Sequence, residues 1–427
     1  MSSDLPAWKK FDTILGGISL NRTLAMVLAG GKGERLSPLT VKRPKPCVPF
    51  GGKYKIIDFV LSNLFNSGCR HIYVLSQYHA YSMSKHLRNS WSQWTGYGEF
   101  CVPISPETST GREEWFKGTA DAIYHYLRFL EYSDFDEVAV FGGDHIYKMD
   151  IRQMLAQHRQ TNADLTIAAI EVPAVEAPRF GILEVNDESR LLAFQEKPAS
   201  PALIPGRDVA YASMGNYIFN VKKLVEVLKE AKALYENLDF GQHVIPMMLG
   251  NSDRVFAYNF MTNEVPGMTP EEVGYWRDVG TLDSYFESNM DLIHVTPQLN
   301  LYNQQWPIMT HQGNFPPAKT VFDYDGRRGQ ALDSYVCGGS IISGGTARRS
   351  ILGSNCVLHS YCEVSDSILF DGVEVGRGAT LHRTIVDKGV CLPEGIQIGV
   401  DLDHDRTRGF TVTDSGIVVV SNTVQIF

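Results

Sequence analysis

The residues best suited to chemistry come directly after the first apolar run of the chain. Residues 30–36 (GGKGERL) carry three glycines and an arginine, and residues 42–46 (KRPKP) add three more cations. Glycine lets backbone N–H groups approach a phosphate closely, where a Cβ atom would clash. Neither a Walker loop nor a dinucleotide fingerprint is present. The stretch therefore predicts a polyphosphate site with four cations beside the glycine turn, namely Arg35, Lys42, Arg43 and Lys45.

Two carboxylates far apart in the sequence complete this constellation. Asp144 ends an apolar run, and Asp278 belongs to the later segment WRDVGT. A carboxylate at the end of a strand points into the ligand crevice of an open sheet and can hold Mg²⁺, whereas the alternative for an isolated Asp is a turn or a helix cap. Two acids beside a phosphate cradle favour metal-assisted transfer. The neighbouring His145 is predicted to be structural, and Lys197 is either a ligand contact or a solvated charge.

From about residue 24 to residue 293, the elements that position these residues alternate between the apolar runs of strands and the apolar spacing of helices. Short apolar runs predict buried strands at 24–28, 71–75, 138–141 and 165–170. Helical spacing follows at 60–65, with Gly68 to end that helix, and again at 120–130. Strands that alternate with helices predict an α/β domain with a mostly parallel, open sheet. Ligands bind such sheets beyond the carboxyl ends of the strands, so we expect the chemistry in this half.

The periodicity changes near residue 335. Helical spacing disappears, and apolar or small residues recur at about every sixth position, as in Val373, Ala379 and Ile385. Such a period is typical of a parallel β-helix whose flat sides stack, and an ordinary β-rich domain is the alternative. A Pro- and Asn-rich stretch near 300–317 predicts a linker. The predicted organisation is a catalytic domain at 1–298, a linker at 299–334 and a β-helix domain at 335–427.

Composition limits the classes of function. A chain of 427 residues is too long for one ordinary core, and its formal charge of −9 argues against binding to nucleic acid or to an anionic membrane. Residues 1–20 contain no continuous apolar segment of the kind that a secretory signal requires, and no membrane-spanning run is present. Seven cysteines without a Cys-x-x-Cys pair predict reduced thiols. These features predict a soluble cytoplasmic protein, or a plastid protein whose transit peptide has been removed.

Seven segments together resemble the ADP-glucose pyrophosphorylase family, also called the glucose-1-phosphate adenylyltransferases. They occur in the family's order and spacing: the glycine–arginine loop, KP (45–46), FGGKYKIIDF (50–59), WFKGTADA (115–122), GDHIYK (143–148), EKP (196–198) and WRDVGT (276–281). The glycine loop alone indicates only a sugar-nucleotide pyrophosphorylase, whereas GDHIYK and WRDVGT narrow the resemblance to the ADP-glucose branch. The resemblance implies a Rossmann-like nucleotidyltransferase domain followed by a left-handed parallel β-helix.

The resemblance also implies a reaction, in which ATP and glucose 1-phosphate give ADP-glucose and pyrophosphate with Mg²⁺ as cofactor. This reaction is the committed step towards glycogen or starch. Matching motifs imply that Asp144 and Asp278 bind Mg²⁺. The implied ATP site consists of Arg35, Lys45, Gln77 on the adenine, and the glycines Gly30, Gly31, Gly33 and Gly118. The implied glucose 1-phosphate site consists of Glu196, Lys197, Ser213, Tyr217, Asp239 and Trp276.

Members of the family are usually tetramers controlled by small anionic metabolites. The resemblance thus implies a homotetramer, or a heterotetramer with a homologous subunit. Basic positions implicated in effector binding match Lys42, Arg43, Lys55 and Lys388. Pro49 replaces a His found in some members activated by fructose bisphosphate, which leaves the activator open. Phe116 replaces a Tyr near the nucleotide, and Gln242 and His243 stand where bacterial relatives often have Lys-Asp, so these departures bear on affinity.

Two alternatives stay open at the level of the sequence. A related thymidylyl-, uridylyl- or guanylyltransferase would use another base or sugar. A non-catalytic regulatory subunit would bind effectors and modulate a catalytic partner. Such subunits tend to lose the metal acids or the loop cations, and all of these residues are present here.

Overall fold

A computed structural model describes residues 17–106, 115–311, 313–324 and 326–424. Residues 1–16 lie outside the described ranges, and with them most of the segment in which no secretory signal is predicted. The outer ends of the predicted domains 1–298 and 335–427 lie outside them as well. All seven cysteines fall within the described ranges, and each is free, as the sequence predicts.

A nine-stranded sheet, counted over the described residues, forms the centre of the N-terminal half. The strands of this half, in chain order, are β1 (Thr23–Leu28), β2 (Pro49–Phe50), β3 (Tyr54–Lys55), β4 (His71–Leu75), β5 (Phe100–Ile104), β6 (Glu137–Gly142), β7 (His145–Tyr147), β8 (Leu165–Pro173), β9 (Gly181–Val185), β10 (Leu191–Glu196), β11 (Val209–Asn220), β12 (Val255–Asn259) and β13 (Trp276–Asp278). Strands β2 and β3 form a hairpin, and β7 pairs with β13. The remaining strands make up the sheet.

The order of the sheet is β10-β9-β11-β6-β1-β4-β5, with β8 beside β11 and β12 beside β8. Strand β1 runs parallel to β4 and β6, and β5 runs parallel to β4. Strand β11 is antiparallel to β6, β8 and β9. The four strands predicted from apolar runs are confirmed. The long β11 was missed because buried and half-buried residues alternate along most of it, so that no continuous apolar run marks it.

The helices, in chain order, are α1 (Ile56–Asn66), α2 (Ala80–Ser90), α3 (Thr119–Tyr124), α4 (Leu127–Glu131), α5 (Ile151–Gln160), α6 (Val221–Leu234), α7 (Ile245–Gly250), α8 (Leu282–Asp291) and α9 (Leu402–Thr407). Helix α1 ends as predicted, because Gly68 follows it with a left-handed φ of 90°. The helical stretch predicted at 120–130 is divided into α3 and α4, since Tyr126 leaves helical geometry with φ −110° and ψ 19°. Within the described ranges, no helix has both the length and the apolar character needed to cross a membrane.

Three sheets form a prism in the C-terminal half, and their strands are parallel except for Thr411–Val412, which is antiparallel to Val418–Val420. The first contains Lys319–Val321, Ile341–Ser343, Val357–Leu358, Glu374–Val375 and Cys391–Leu392, and the second contains Gln330–Leu332, Thr346–Arg348, Glu363–Ser365, Thr380–His382 and Gln397–Ile398. The third contains Tyr335–Val336, Ile351–Leu352, Ile368–Leu369, Thr384–Val386, Val418–Val420 and Thr411–Val412. Ile341 lies beside Val357, and Val357 beside Glu374, so one coil takes 16 or 17 residues. The period of about six residues is the length of one side of the prism.

The first strands of two of these sheets lie within the stretch 299–334 that the sequence assigns to the linker. Lys319–Val321 pairs with the strand at Ile341–Ser343, and Gln330–Leu332 pairs with Thr346–Arg348. Their residues are exposed or half-buried, so they carry none of the apolar repeat that marks the later coils. Part of the stretch thus belongs to the prism, while the exact boundaries of the two domains stay a prediction.

The two halves share an apolar core. Phe50, Phe59 and Tyr285 of the N-terminal half belong to the same cluster of buried side chains as Ile368 and Ile385 of the prism. Burial of this apolar surface holds the prism against the sheet domain. No periodicity in either half indicates such a contact, because it joins residues that are distant in sequence.

Candidate active site

A cavity of about 750 Å³ opens at the carboxyl ends of β1, β4 and β6. The glycine turn at 30–33 follows β1, Gln77 follows β4, and Asp144 follows β6. Neighbouring strands of the parallel part of the sheet thus each deliver functional groups to one place. This is the edge at which open α/β sheets bind ligands, and the volume suits a small-molecule ligand.

Asp144 lines this cavity, and Asp278 lies close to it although the two are distant in the chain. Strands β7 and β13 form an antiparallel pair that places Asp278 opposite His145, the residue after Asp144. The Nζ of Lys45 lies between the two acids, 2.9 Å from Asp144 Oδ2 and 2.9 Å from Asp278 Oδ1. Lys45 is itself buried and begins the 3₁₀ turn Lys45–Cys47. The structure therefore joins both predicted acids to one of the predicted cations.

Charge, rather than burial, decides the protonation of this cluster. Burial would raise the pKa of Asp144, but the nearby cations, Lys45 foremost, outweigh it and hold that pKa below its ordinary value. Burial would likewise lower the pKa of Lys45, whereas the two carboxylates raise it above its ordinary value. Asp144 and Lys45 are therefore both charged at neutral pH. Ligand atoms of Asp144, His145 and Asp278 lie within 4.8 Å of one another, and carboxylate oxygens match the preference of Mg²⁺.

Two glycines leave room for the cations of the site. Gly33 has a left-handed φ of 65°, and a Cβ on it would lie 2.9 Å from the Cβ of Lys45. A Cβ on Gly280 would lie 3.0 Å from Arg35 Nη2 and 3.0 Å from Asp278 Oδ1. Any larger residue at these positions would push the cations away from the acids. Arg35 therefore reaches the same side of the cavity as Lys45.

The side chain of Gln77 is oriented by a backbone hydrogen bond. The Phe116 N–H donates to Gln77 Oε1 over 2.8 Å, so the amide NH₂ of Gln77 is left to face a ligand. Gly30 lies against both residues, because a Cβ on it would be 3.7 Å from the Gln77 side chain and 3.8 Å from the Phe116 ring. The ring of Phe116, the residue that replaces the family's Tyr, is buried in the wall of the cavity.

Gly118 precedes α3 and lies against the backbone of another segment. Its φ is 148°, and a Cβ would lie 2.3 Å from the carbonyl oxygen of Leu238, which accepts from the N–H groups of Ala120 and Asp121. We expect Gly118→Ala to lower the free energy of unfolding by more than about 2 kcal/mol, because a backbone neighbour cannot rotate away. The control is Gly98→Ala, at φ 82° but in open space, with an expected loss of about 1 kcal/mol. Urea unfolding measures both, and equal losses would contradict the explanation.

Tyr217 and Asp239, two of the six residues predicted to bind the sugar phosphate, line the cavity. The Asp239 carboxylate accepts from the N–H groups of Gly241 (2.9 Å) and Gln242 (3.2 Å) and from the Thr119 hydroxyl (2.8 Å). These bonds fix its orientation. Burial raises the pKa of the Tyr217 hydroxyl, which is therefore neutral and can donate or accept a hydrogen bond.

The other four predicted sugar-phosphate residues are not among the described residues that line the cavity, and they belong to or directly follow strands of the same half. Glu196 ends β10, and Lys197 follows it with a left-handed φ of 48°. The Lys197 Nζ lies 3.0 Å from Glu196 Oε1, and its side chain is 63% exposed, so it is free to reach a ligand. Trp276 begins β13, and its ring lies 4.8 Å from that of His145. Ser213 lies in β11.

The four cations of the glycine-loop region do not share one site. Arg35 and Lys45 line the cavity. Arg43 is buried elsewhere, with its Nη1 2.7 Å from Asp387 Oδ1 of the prism. Lys42 is exposed and is not among the described residues that line either of the two large cavities. The prediction that all four stand beside the glycine turn is therefore wrong, because Arg43 and Lys45, on either side of the extended Pro44, pair with acids in different parts of the structure.

A second cavity, of about 1090 Å³, lies between the two halves of the chain. Arg43, Lys55 and Lys388, three of the four predicted effector residues, line it. Lys388 Nζ lies 2.6 Å from Asp371 Oδ2, and Arg43 pairs with Asp387. No carboxylate of the described residues forms an ion pair with Lys55. Its pKa is lowered, because burial and the neighbouring Lys388 and Arg43 disfavour the charged ammonium.

The sequence analysis did not identify Asn216, which connects the two sides of the first cavity. Its side chain accepts from the Gly142 N–H (3.3 Å) and donates to the Tyr147 hydroxyl (3.0 Å). It therefore ties β11 to the strand ends on either side of Asp144. The signal that could have revealed it was Gly215 within an otherwise strand-like pattern, which indicates a bulge, and β11 does have a register shift there.

Comparison with known proteins identifies the family. A model described as Nucleotidyl transferase matches residues 24–294, and one described as GlmU-like, C-terminal hexapeptide matches residues 316–420. These matches confirm the predicted fold class of a Rossmann-like domain followed by a left-handed parallel β-helix. A glucose-1-phosphate adenylyltransferase of Geobacter metallireducens is 64% identical over 408 residues, which are 96% of this chain and 99% of that protein.

Relatives of the same name extend over a wide range of identity. The protein of Trichlorobacter lovleyi is 65% identical over 95% of this chain and 98% of its own length. The protein of Deinococcus radiodurans is 47% identical over 93% of this chain and 98% of its own length. The chain therefore belongs to the nucleotidyl transferase family and, within it, to the glucose-1-phosphate adenylyltransferases.

Proposed function

We propose that the chain catalyses the reaction of ATP with α-D-glucose 1-phosphate to give ADP-glucose and pyrophosphate, with Mg²⁺ as cofactor. The observation that carries the proposal is the convergence of Asp144 and Asp278 on the buried Lys45 beside the glycine turn. The names of the relatives supply the substrate class. The reaction would be the committed step towards glycogen or starch.

The triphosphate is proposed to lie along the glycine turn. Backbone N–H groups of the turn donate to phosphate oxygens, while Arg35 and Lys45 neutralise the charge that develops on the departing pyrophosphate. Gln77 faces the base. Because its carbonyl oxygen already accepts from Phe116, its NH₂ group can donate to the N1 acceptor of adenine but offers no acceptor for the N1–H of guanine.

The nucleophile needs little activation, since the phosphate of glucose 1-phosphate is already an anion. One of its oxygens attacks the α-phosphorus in line, a new P–O bond forms, and the bond between the α-phosphorus and the bridging oxygen breaks to release pyrophosphate. Lys197 is proposed to hold the sugar phosphate, and Glu196 and Asp239 to accept hydrogen bonds from sugar hydroxyls. Positioning and charge neutralisation then supply most of the rate. Held by Asp144 and Asp278, Mg²⁺ would supply further neutralisation at the phosphates.

An assay of pyrophosphate release tests the proposed substrates. We expect the purified chain to release pyrophosphate from ATP and glucose 1-phosphate far faster than from UTP, dTTP or GTP with the same sugar. Preference for another nucleotide would instead identify a thymidylyl-, uridylyl- or guanylyltransferase. The same assay separates the regulatory-subunit alternative, because a chain that turns over on its own is not a non-catalytic subunit.

The cavity between the two halves is proposed to bind a small anionic effector. Five Lys and Arg side chains line it, namely Arg43, Lys53, Lys55, Lys85 and Lys388, and Lys55 is half-buried without an ion-pair partner among the described residues. A partly desolvated ammonium without a counter-ion is costly, so an anion that reaches it gains both attraction and relief of that cost. Lys42, the fourth residue that matches the family's effector positions, would act from the exposed segment beside Arg43.

We expect Lys55→Met to remove the response of the protein to a bound anion. At one hundred times its dissociation constant, a ligand raises the free energy of unfolding by about 2.7 kcal/mol. Titration of the wild type with inorganic phosphate or a sugar bisphosphate should reach this gain, and Lys55→Met should lose most of it. The control is Lys53→Met, which lines the same cavity but lies over the Tyr54 ring at 5.1 Å. Equal gains in both variants would place the anion elsewhere.

The same depressed pKa predicts the pH dependence of the free protein. Between the lowered folded-state pKa of Lys55 and its ordinary value, the unfolded chain binds more protons than the folded one. The Lys55 contribution to the free energy of unfolding should therefore rise with pH through this window. Thermal unfolding of wild type and Lys55→Met between neutral and alkaline pH measures this contribution. The prediction is contradicted if the free energy of unfolding of the wild type, relative to that of the variant, does not rise with pH.

The family resemblance also leads us to propose a cytoplasmic homotetramer, or a heterotetramer with a homologous subunit. Sedimentation equilibrium of the purified chain tests the first form directly. A stable monomer that assembles only with a homologous subunit would favour the second.

A further inference from the structure

We propose that Lys45 acts as an internal cation that closes the two-carboxylate site to divalent metal until a triphosphate binds. The inference rests on the proposed metal site of Asp144 and Asp278, and it adds an order of events to the proposed function. Metal would enter with the nucleotide or after it, and the free protein would bind metal only weakly.

The Lys45 ammonium occupies the space between the two carboxylates. The Lys45 ammonium donates to Asp144 Oδ2 and to Asp278 Oδ1, each over 2.9 Å, and these two side chains provide the carboxylate oxygens of the candidate metal cluster. Mg²⁺ binds carboxylate oxygens at about 2.1 Å, so an ion that takes these two oxygens needs the space that the ammonium fills. At these oxygens the ammonium and the ion exclude each other.

Packing holds the ammonium in place. The side chain of Lys45 is only 8% exposed, whereas those of Asp144 and Asp278 are 36% and 19% exposed, and Asp144 lines the cavity. Gly33 approaches the Lys45 stem so closely that a Cβ would lie 2.9 Å from the Lys45 Cβ. An incoming ion can reach the carboxylates from the cavity, but it cannot share them without displacing the lysine.

The net charge of the cluster also disfavours metal binding by the free protein. The negative charges of the two carboxylates are balanced by the positive charges of Lys45 and Arg35. Arg35 lies close to Asp278, because a Cβ on Gly280 would be 3.0 Å from both Arg35 Nη2 and the Asp278 carboxylate. A divalent cation therefore meets a cluster with no net negative charge and gains little attraction from it. A triphosphate brings several negative charges and further oxygen ligands, and both cations can turn to it. The carboxylates are then left for the metal.

Titration of the purified full chain with Mn²⁺, read from the EPR signal of the free aqueous ion, tests the proposal without any turnover. In the absence of nucleotide, we expect the wild-type dissociation constant to be at least about tenfold higher than that of Lys45→Met. The control Lys32→Met removes a cation of the same cavity that has an exposed partner, Glu34, at 3.6 Å, and should stay within about threefold of the wild type. Adding α,β-methylene-ATP should tighten Mn²⁺ binding by the wild type at least about tenfold.

Each result decides the matter. Equal Mn²⁺ affinity of wild type and Lys45→Met, or an equal gain in Lys32→Met, overturns the role of Lys45. If Lys45→Met does not fold, Lys45→Gln replaces it, and tight stoichiometric Mn²⁺ binding by the nucleotide-free wild type overturns the proposal whichever variant is used. Absence of Mn²⁺ binding in all proteins, even with the ATP analogue, overturns the proposed metal site and this inference with it.

Discussion

Replacement of Asp144 by asparagine is expected to lower the turnover number at least about a hundredfold while the protein stays folded. The substitution keeps the size of the side chain and the remaining ion pair between Lys45 and Asp278, but it removes the charge of one of the two proposed metal ligands. Loss of a single preorganised electrostatic group at a reacting centre costs about 3–4 kcal/mol of barrier. Steady-state pyrophosphate release at saturating substrates measures the change, and circular dichroism checks the fold.

A matched control for this variant is Glu34→Gln. Glu34 lines the same cavity and carries the same charge, but its carboxylate is 79% exposed and its ion pair is the loose contact with Lys32 at 3.6 Å. We expect its turnover number to stay within about threefold of the wild type, because exposed pairs of this kind contribute little. Turnover of Asp144→Asn close to that of Glu34→Gln would refute the role of Asp144.

Lys197→Ala should raise the KM for glucose 1-phosphate by roughly 10- to 100-fold and change the KM for ATP much less. A hydrogen bond to a charged group is worth about 1.5–3 kcal/mol, and this one is proposed to be made to the sugar phosphate alone. In the structure, the Lys197 ammonium is accessible to a ligand. The backbone N–H of Lys197 donates to the Phe180 carbonyl, and its φ of 48° fixes the turn. Among the described residues, its exposed ammonium has Glu196 as its only ion-pair partner.

Initial rates with each substrate varied in turn measure this split. Lys197→Arg keeps the charge in the same turn and should recover part of the lost affinity. If the KM values for ATP and glucose 1-phosphate rise together in Lys197→Ala, the side chain does not act on the sugar phosphate.

The sequence predicts those parts of the site whose position depends on one strand alone. The glycine turn, Asp144 and Asp278 each belong to or directly follow a short strand, and apolar runs mark β1 and β6 clearly. Because parallel strands deliver their carboxyl ends to one edge, the meeting of the glycine turn and Asp144 follows from the fold class alone, whereas the antiparallel pair of β7 and β13 brings Asp278 to them. The resemblance to a known family adds the residues that no pattern marks, such as Gln77.

What the sequence could not predict depends on turns and on contacts between the halves. Arg43 and Lys45 are almost adjacent in the chain, yet one pairs with Asp387 of the prism and the other with the acids of the cavity. No periodicity distinguishes them, because only the extended Pro44 lies between them and their partners are distant in sequence. The cavity between the two halves has the same origin, since it exists only where the prism packs on the sheet domain.

The most direct test of the central claim is an anomalous difference map, recorded at the manganese edge, from crystals grown with Mn²⁺ and α,β-methylene-ATP. We predict a peak bound by carboxylate oxygens of both Asp144 and Asp278, with Lys45 moved from the acids to the phosphates of the analogue. A manganese peak bound by only one of the two acids, or by neither, would contradict the account.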